Sequence, residues 1–323
     1  MTASKDMTLP KERVGSHGAD ELPVPKKAFS TDNPIEIFQF AIDAVDKGFK
    51  LALCTLVEIR GGSSRPLGAH MAVADNGSYC GYVSGGCTEA AVAAEALQAI
   101  SAGHDRFVML GEGSPFFDIV LPCGGGITVA IHILRNVTPL SSVVGSVNAR
   151  QNASLSYCPA KEALSFGAVG TATGWDDEVF KTLYRPAVRI VLSGRELEVE
   201  MTSKVAKAAG YDVILHSLED RSFDASVIDE NTAVVLLQHD LDQEMALLTA
   251  ALGAQPFYIG ALGSARTHER RVQRLQQEGH SNEVVGQIKA PIGLFGRARD
   301  AQSLALSVIA EIAACRQAAL PRH

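Results

Sequence analysis

Two cysteines with glycine neighbours are the residues of this chain best suited to chemistry. Cys87 lies in the run SGGCTE at residues 84–89, and Cys123 is followed by three glycines. Glycine lets the backbone approach a ligand closely, and its unobstructed N–H groups can bind an anion and lower the pKa of a thiol. Both segments are therefore candidates for soft-metal or sulfur chemistry beside an anion. The candidate residues are Ser84, Gly85, Gly86, Cys87, Cys123, Gly124 and Gly125.

A structural interpretation of the same residues is also open. Ser84 or Thr88 can cap the following helix while the glycines turn the chain. Cys123 can equally be a small buried residue in a turn, and nothing in the sequence places the two cysteines close together. A structural zinc site is not expected, because the chain lacks the CxxC spacing that is typical of such sites.

Three further segments carry weaker candidates. In a glycine- and serine-rich segment, Arg65 can act as the counter-charge for a bound anion. His239 and Asp240 follow one predicted strand, and Gly263 and Ser264 follow the next. Ligands of parallel sheets bind at the carboxyl ends of the strands, so these four residues are binding candidates. The His-Asp pair can also be a helix cap beside a satisfied histidine.

Composition indicates an ordinary globular protein. The chain has 323 residues, 46% of them hydrophobic, and a formal net charge of −7. This length allows two domains with separate cores. The acidic balance argues against nucleic acid or an anionic membrane as a partner, and no apolar run approaches the roughly 18 residues of a membrane span. The N-terminal residues lack the apolar core of a signal peptide, so we expect a cytoplasmic protein.

The predicted elements indicate an α/β fold with two domains. Residues 1–32 are polar and without periodicity, and they are predicted to form a flexible tail. The range 33–140 is predicted to be a mixed α/β domain that carries the glycine-flanked cysteines, and 141–184 to be connecting strands and turns. From 185 to 318 strands and helices alternate, which predicts a Rossmann-like domain with a parallel sheet.

The first strand-to-helix turn of this second domain lacks a dinucleotide-binding fingerprint. Gly194 occupies the first glycine position, but Glu196 occupies the second. The second glycine normally lets the backbone contact the pyrophosphate, and a glutamate there adds bulk and negative charge. Ordinary nicotinamide redox catalysis is therefore disfavoured.

Six short motifs follow one another along the chain. They are RPLGA at 65–69, VSGGCTE at 83–89, CGG at 123–125, HD at 239–240, YIGALGS at 258–264 and APIGL at 290–294. Together they resemble the xanthine dehydrogenase accessory factor family (XdhC/CoxI), from about residue 34 to residue 315. Within that family the similarity is greatest to the chaperones that insert molybdenum cofactor into aldehyde oxidoreductases.

The resemblance implies a chaperone rather than a turnover enzyme. Such a protein binds molybdopterin, protects it while a terminal oxo ligand is exchanged for sulfur, and delivers it to an apo-enzyme. The implied partners are the large subunit of an apo molybdenum hydroxylase, such as an aldehyde or xanthine dehydrogenase, and a cysteine desulfurase. A homodimer is left open by the sequence.

The same resemblance implies roles for the candidate residues. Cys87 and Cys123 would hold or shield the molybdenum, and the glycine N–H groups would bind the phosphate. A cytosine dinucleotide form of the cofactor would give the Rossmann-like domain a ligand. His239, Asp240 and the residues that follow the next strand would lie at the edge of that sheet.

An enzyme is the alternative function. Cys87 could act as the nucleophile, with His239 as its base, in a thiol-dependent or nucleotide-dependent reaction. A nucleophile should be alkylated quickly near neutral pH, and turnover should vanish in Cys87→Ala. A chaperone should show no turnover and should lose cofactor retention in the same variant.

Overall fold

The computed structural model of the chain describes residues 22–112, 114, 124–167, 170, 172–216, 223–238, 240–296 and 298–318. Their contacts divide them into two compact units. The first unit takes in the described residues of Met1–Val137 and Cys158–Leu164, and the second those of Thr138–Tyr157 and Ser165–His323. Among the described helices, none combines the length and the apolar character that a membrane crossing requires.

The first unit contains a six-stranded mixed sheet and two helices. Its elements are β1 (Lys26–Lys27), α1 (Pro34–Asp46), β2 (Leu51–Arg60), β3 (His70–Ala74), β4 (Ser78–Gly81), α2 (Glu89–Ala102), β5 (Arg106–Gly111) and β6 (Gly126–Ile133). The strand order is β1-β4-β3-β2-β6-β5. The β1–β4 pair is parallel and the other neighbours are antiparallel.

Local sequence signals set the ends of both helices. The Asn33 side chain accepts a hydrogen bond from the N–H of Ile35, and Pro34 starts α1, a combination that favours a helix N-terminus. Helix α2 ends at Gly103, whose φ of 75° lies in the left-handed region that glycine adopts readily.

Strand β1 lies within the segment that the sequence assigned to a flexible tail. Lys26 pairs with Ser78 and Lys27 with Tyr79, which adds a short edge strand to the sheet. A two-residue strand has no periodicity to reveal it in a sequence.

Strand β2 is buried throughout its first seven residues. Ala52, Cys54 and Leu56 pack in one core with α2, as the two-residue period of a strand requires. Helix α1 packs against β3, where the Phe38 ring lies 5.3 Å from the His70 imidazole. Burial lowers the pKa of His70 to about 3, so its imidazole is neutral at physiological pH.

The second unit begins with a helix and a small sheet. These elements are α3 (Thr138–Asn148), β7 (Ala153–Cys158), β8 (Ala163–Gly167), β9 (Gly174–Asp176) and β10 (Val179–Tyr184). The strand order is β8-β7-β10-β9, and β10 is antiparallel to both of its neighbours. The range 141–184, predicted as connecting strands and turns, thus holds most of α3 and a four-stranded sheet, of which residues 158–164 cluster with the first unit.

The rest of the second unit is a five-stranded parallel sheet with helices on both faces. Its elements are β11 (Arg189–Gly194), α4 (Glu196–Ala208), β12 (Asp212–His216), β13 (Thr232–Leu237), α5 (Leu241–Ala254), β14 (Tyr258–Ala261), α6 (Ala265–Gln277), α7 (Asn282–Val285), β15 (Ile288–Lys289) and α8 (Ala301–Ala318). The strand order is β12-β11-β13-β14-β15, and all of these pairs are parallel. The predicted α/β class, with a Rossmann-like second part, is confirmed.

Alternate residues of the central strand β13 enter two separate cores. Val234 and Leu236 pack with α5, whereas Ala233, Val235 and Leu237 pack with α4 and α8. The chain order reverses between β11 and β13, so the carboxyl ends of these two strands form the topological switch point at which such sheets bind ligands.

Candidate functional site

The Cys87 loop (residues 82–88) connects β4 to α2 and presents one thiol on an exposed turn. Gly85, Gly86 and Cys87 are exposed, whereas the flanking Ser84 and Thr88 are buried. The backbone N–H groups of the three exposed residues have no hydrogen-bond partner among the described residues. The loop therefore offers a thiol and amide donors to a ligand.

The buried carboxylate of Glu89 holds both ends of this loop through hydrogen bonds. Glu89 is 2% exposed, and it accepts hydrogen bonds from Ser84 N (2.8 Å), Ser84 Oγ (2.9 Å) and Thr88 N (3.2 Å). A buried carboxylate is stable only when such donors satisfy it. Ser84 Oγ, which donates to Glu89, lies 3.7 Å from Cys87 Sγ and can accept the thiol proton.

Neither capping interpretation of this segment describes the structure. Thr88 is in the N-cap position of α2, but its side chain makes no capping hydrogen bond. The Ser84 hydroxyl bonds to Glu89 instead of a helix amide. The carboxylate of Glu89 itself lies at the positive end of α2, where a negative charge is favourable. The sequence predicted an external anion at this loop. In the structure the Glu89 carboxylate already binds two of the amides, those of Ser84 and Thr88.

The glycine-serine loop (residues 61–69) connects β2 to β3 and contacts both glycine-containing segments. A Cβ atom on Gly85 would lie 3.0 Å from Ser64 Oγ. On Gly125 it would lie 2.5 Å from the carbonyl oxygen of Gly62 and 2.6 Å from that of Arg60. Since real Cβ atoms do not approach backbone oxygens so closely, Gly125 must be glycine here. The structure therefore brings Gly85 and Gly125 to one loop, while Cys123 lies outside the described residues.

Arg65 extends from the glycine-serine loop and already has an anionic partner. Its Nη1 donates to Asp32 at 2.7 Å, and its Nε donates to the carbonyl oxygen of Ser84 at 3.4 Å. The guanidinium also lies 5.2 Å from the centre of the Tyr82 ring, a favourable cation–π distance. The sequence predicted Arg65 as a counter-charge for a ligand; in the structure its counter-ion is Asp32.

The candidates of the second unit divide between two cavities at the carboxyl edge of the parallel sheet. Gly263 and Ser264 line a cleft of about 740 Å³. Its other lining residues are Leu197, Glu198, Leu262, Ala265, Thr267, Pro291, Ile292, Gly296, Ala298, Arg299, Asp300, Ala301 and Leu304. Asp240 lines a separate, more polar cavity of about 640 Å³, beside Arg270 and Arg274. His239 lies outside the described residues.

Asp240 and Ser264 both act as helix caps. Asp240 accepts from the N–H of Asp242 at 2.9 Å and begins α5, so the capping alternative describes this residue. Ser264 accepts from the N–H of Thr267 at 3.3 Å and begins α6. Each cap satisfies an amide that the helix leaves unpaired, and this structural role accounts for the residue type at both positions.

Gly194 has a packing role at the switch point. Its φ is 151°, and a Cβ atom there would lie 2.4 Å from the carbonyl oxygen of Leu237 in β13. The close contact of β11 with β13 therefore accounts for this glycine without a bound nucleotide. Glu196 and Glu198 lie in the first turn of α4, where they compensate the helix dipole themselves.

Among the described residues, no group of three or more His, Cys, Asp or Glu side chains could hold a metal ion. An exposed thiol on a fixed loop is suited to reversible contact with a ligand that enters from solvent.

Models of one protein family match both units of the chain. The model of the XdhC and CoxI family matches residues 44–111, and the model of the XdhC Rossmann domain matches residues 190–312. The chain is also 50% identical, over 90% of its length, to the molybdenum cofactor insertion chaperone PaoD of Escherichia coli (strain K12), and the match covers 92% of that protein. The chain belongs to the XdhC and CoxI family.

Two more distant proteins are also similar to the chain. The uncharacterized protein YqeB of Escherichia coli (strain K12) is 22% identical over 86% of this chain, a match that covers 46% of YqeB. A crystal structure described as a xanthine dehydrogenase from Bacillus halodurans superimposes with a TM-score of 0.68 at 19% identity. It covers 89% of this chain and 96% of the other, which shows a shared fold.

Sequence reasoning missed three residues of the candidate site. Glu89, Asp32 and Tyr82 were not among its candidates, yet they contact Ser84 or Arg65 directly. The signal for Glu89 was an acidic residue in the first turn of a helix, next to a candidate loop. No local signal connects Asp32 to Arg65, because 33 positions separate them.

The cysteines of this XdhC and CoxI family member should differ sharply in reactivity. Burial raises the pKa values of Cys54 and Cys80 to about 12, whereas Cys87 is exposed. Because the thiolate is the reacting form, we expect iodoacetamide at pH 7.5 to alkylate Cys87 well before Cys54 or Cys80. Peptide mass spectrometry over a time course measures this order. Early labelling of Cys54 in folded protein would contradict the buried strand.

Proposed function

We propose that this protein is a molybdenum cofactor insertion chaperone, which binds the cofactor as cargo and transfers it to an apo-enzyme. The observation that carries the proposal is the 50% identity to PaoD over nearly the full length of both chains. A similarity this extensive supports a shared role, and PaoD is a molybdenum cofactor insertion chaperone.

The Cys87 loop is the part of the first unit that would receive the cargo. Its thiol is exposed, and the Glu89 carboxylate fixes the backbone on either side of it. Soft metal centres favour thiolate ligands, so Cys87, with Cys123, would contact the molybdenum. The amides of Gly85 and Gly86, together with Gly124 and Gly125 across the glycine-serine loop, would shape the pocket.

A cytosine dinucleotide form of the cofactor would give the second unit a ligand. The cleft beside Gly263 and Ser264 has a volume of about 740 Å³ and an apolar wall that includes Ile292 and Leu304. Clefts of roughly 300–1,000 Å³ that combine apolar walls with a few polar groups are typical of small-molecule sites. His239 and Asp240 are the weaker candidates at this edge.

The proposed partners follow from the proposed role. The client would be the large subunit of an apo molybdenum hydroxylase, an aldehyde or xanthine dehydrogenase, and a cysteine desulfurase would supply the sulfur while the cofactor is held. We place this exchange in the cytoplasm, with a homodimer as an accessible assembly. These finer assignments are tested by co-purification of each partner with the loaded protein.

Molybdenum and pterin content test the proposal directly. The wild type and the Cys87→Ala and Cys123→Ala variants are co-expressed with the cofactor pathway and purified anaerobically. We expect near-stoichiometric molybdenum by elemental analysis, and pterin fluorescence after oxidation, in the wild type. Both signals should be lost in each variant, because each removes a proposed molybdenum contact.

Cys158→Ala is the matched control, since Cys158 is a partly buried cysteine at the end of β7. It should retain the cofactor. Wild-type protein without pterin would contradict the chaperone function. Turnover of a small substrate that is lost in Cys87→Ala would instead support the enzyme with Cys87 as nucleophile.

A further inference from the structure

A carboxylate from the N-terminal segment pairs with Arg65, a cation that contacts the Cys87 loop. Asp32 lies between β1 and α1, one residue before the Asn33 cap. Its Oδ2 accepts from Arg65 Nη1 at 2.7 Å. The Asp32 side chain is 68% exposed and that of Arg65 is 28% exposed, so solvent and ligands can reach the pair.

Arg65 is fixed in a position to bind an anion at the loop. Its Nε donates to Ser84 O, and its Nη2 has no hydrogen-bond partner among the described residues. The Tyr82 ring, which lies against the guanidinium, also contacts a second cation: Lys27 Nζ is 4.9 Å from the ring centre and donates to the Tyr82 hydroxyl at 3.1 Å. Two cations therefore flank the aromatic ring with which the loop begins.

The loop itself is less attractive to an anion than its glycines indicate. The buried Glu89 carboxylate uses the amides of Ser84 and Thr88 and brings a negative charge to the loop. An anionic ligand group therefore needs a cation from another segment. Arg65 meets that requirement, because a guanidinium binds a phosphate through two parallel hydrogen bonds.

We propose that Arg65 binds a phosphate monoester group and that Asp32 is a resident counter-ion which this phosphate displaces. Exposed ion pairs contribute little to stability, so a ligand can displace Asp32 at small cost. A phosphate dianion carries more charge than a carboxylate and bonds both Nη atoms. The inference rests on the proposed function for the identity of the phosphate, which would be that of molybdopterin, but the anion site can be tested without the cofactor.

The test is a gain of affinity. Inorganic phosphate is titrated by calorimetry at low ionic strength into the full-length wild type, Asp32→Asn and Arg65→Met. We expect Asp32→Asn to bind phosphate about five- to tenfold more tightly, since removal of one unit charge a few ångströms from a dianion has an effect of that order. Arg65→Met should lose the binding, and the double variant should match Arg65→Met alone.

Asp176→Asn is the matched control. Asp176 forms a comparably exposed pair with Lys181, 64% and 37% exposed, and its replacement changes the net charge equally. It should leave phosphate affinity unchanged. The gain in Asp32→Asn should shrink in 0.5 M salt, because salt screens exposed charges. Equal affinities in Asp32→Asn and Asp176→Asn, or no measurable binding to Asp32→Asn at tens of millimolar phosphate, would overturn the proposal.

Pterin retention separates this proposal from the proposed function. Tighter phosphate binding by Asp32→Asn supports the anion site. If the wild type at the same time carries no pterin, the anion site stands and the chaperone function is contradicted. Pterin retained equally by the wild type and Arg65→Met supports the chaperone function and overturns the role of Arg65.

Discussion

Replacing Arg271 with methionine is expected to lower the free energy of unfolding of the second unit by about 3–5 kcal/mol. Arg271 in α6 pairs with Glu244 in α5, and both side chains are 0% exposed. The Arg271 Nη2 also donates to the carbonyl oxygen of Leu262 at 3.0 Å. Burial raises the pKa of Glu244, and without Arg271 its carboxyl group is left in an apolar interior with no cation.

Urea unfolding of the full-length protein measures this loss. The chain has one tryptophan, and Trp175 lies in the second unit, so its fluorescence reports that unit. Arg274→Met is the control on the same helix, because Arg274 pairs with the exposed Asp242. Exposed pairs contribute little to stability, so Arg274→Met should cost far less than Arg271→Met.

A double variant separates the loss of a charge partner from the loss of packing. Arg271→Met combined with Glu244→Leu removes both charges, and apolar replacements of whole buried pairs are often neutral or stabilising. We expect the double variant to recover most of the stability lost in Arg271→Met. Equal destabilisation by Arg271→Met and Arg274→Met would contradict the buried pair.

The consequence for function lies in the loop after β14. Arg271 holds the carbonyl oxygen of Leu262, directly before Gly263 and Ser264 in the proposed nucleotide cleft. Arg271→Met should therefore disturb the cleft as well as the core, and binding at this edge should weaken together with stability.

Much of the fold could be predicted from the sequence because its signals are local. The cap Asn33, the proline that follows it and Gly103 mark helix ends in the sequence, and the same residues cap those helices in the structure. The alternation of strands and helices after residue 185 predicted the parallel sheet. It could be recognised because buried strands and amphipathic helices have distinct hydrophobic periods.

The sequence predicted strands and turns over 141–184, but it could not predict how these strands pair. They are short, their partners lie far away in the chain, and few of them alternate strictly between buried and exposed residues. Strand β10 pairs with β7 across more than twenty positions of the chain, a relation that no local pattern encodes. The candidate site shows the same limit. The glycines around Cys87 and Cys123 stand out in the sequence, whereas the contact of Gly62 with Gly125 is set by the fold.

Replacing Glu89 with glutamine should loosen the Cys87 loop even though the two side chains have almost the same shape. Ser84 N donates to Oε1 and Thr88 N donates to Oε2, so both oxygens must be acceptors. An amide presents an NH₂ group at one of these positions, which then faces an N–H donor. The unmet buried groups should cost about 1–3 kcal/mol, and Glu89→Ala should cost at least as much.

Amide hydrogen exchange measures how often each amide of the loop opens to solvent, separately from the stability of the whole protein. We expect the Ser84 and Thr88 amides to exchange about tenfold or more faster in Glu89→Gln, because about 1.4 kcal/mol changes an opening equilibrium tenfold. Glu95→Gln is the control on the same helix, since Glu95 pairs at the surface with Arg106. It should leave both amides protected.

Cofactor retention then shows whether the fixed loop matters for binding. If Glu89 acts by holding Ser84 and Thr88, Glu89→Gln should lose bound molybdopterin while Cys87 itself is intact. Unchanged protection of both amides, together with lost cofactor, would contradict a positioning role. A loop that exchanges quickly yet retains the cofactor would mean that binding itself orders the loop, and the buried carboxylate would then serve the stability of α2 and not the site.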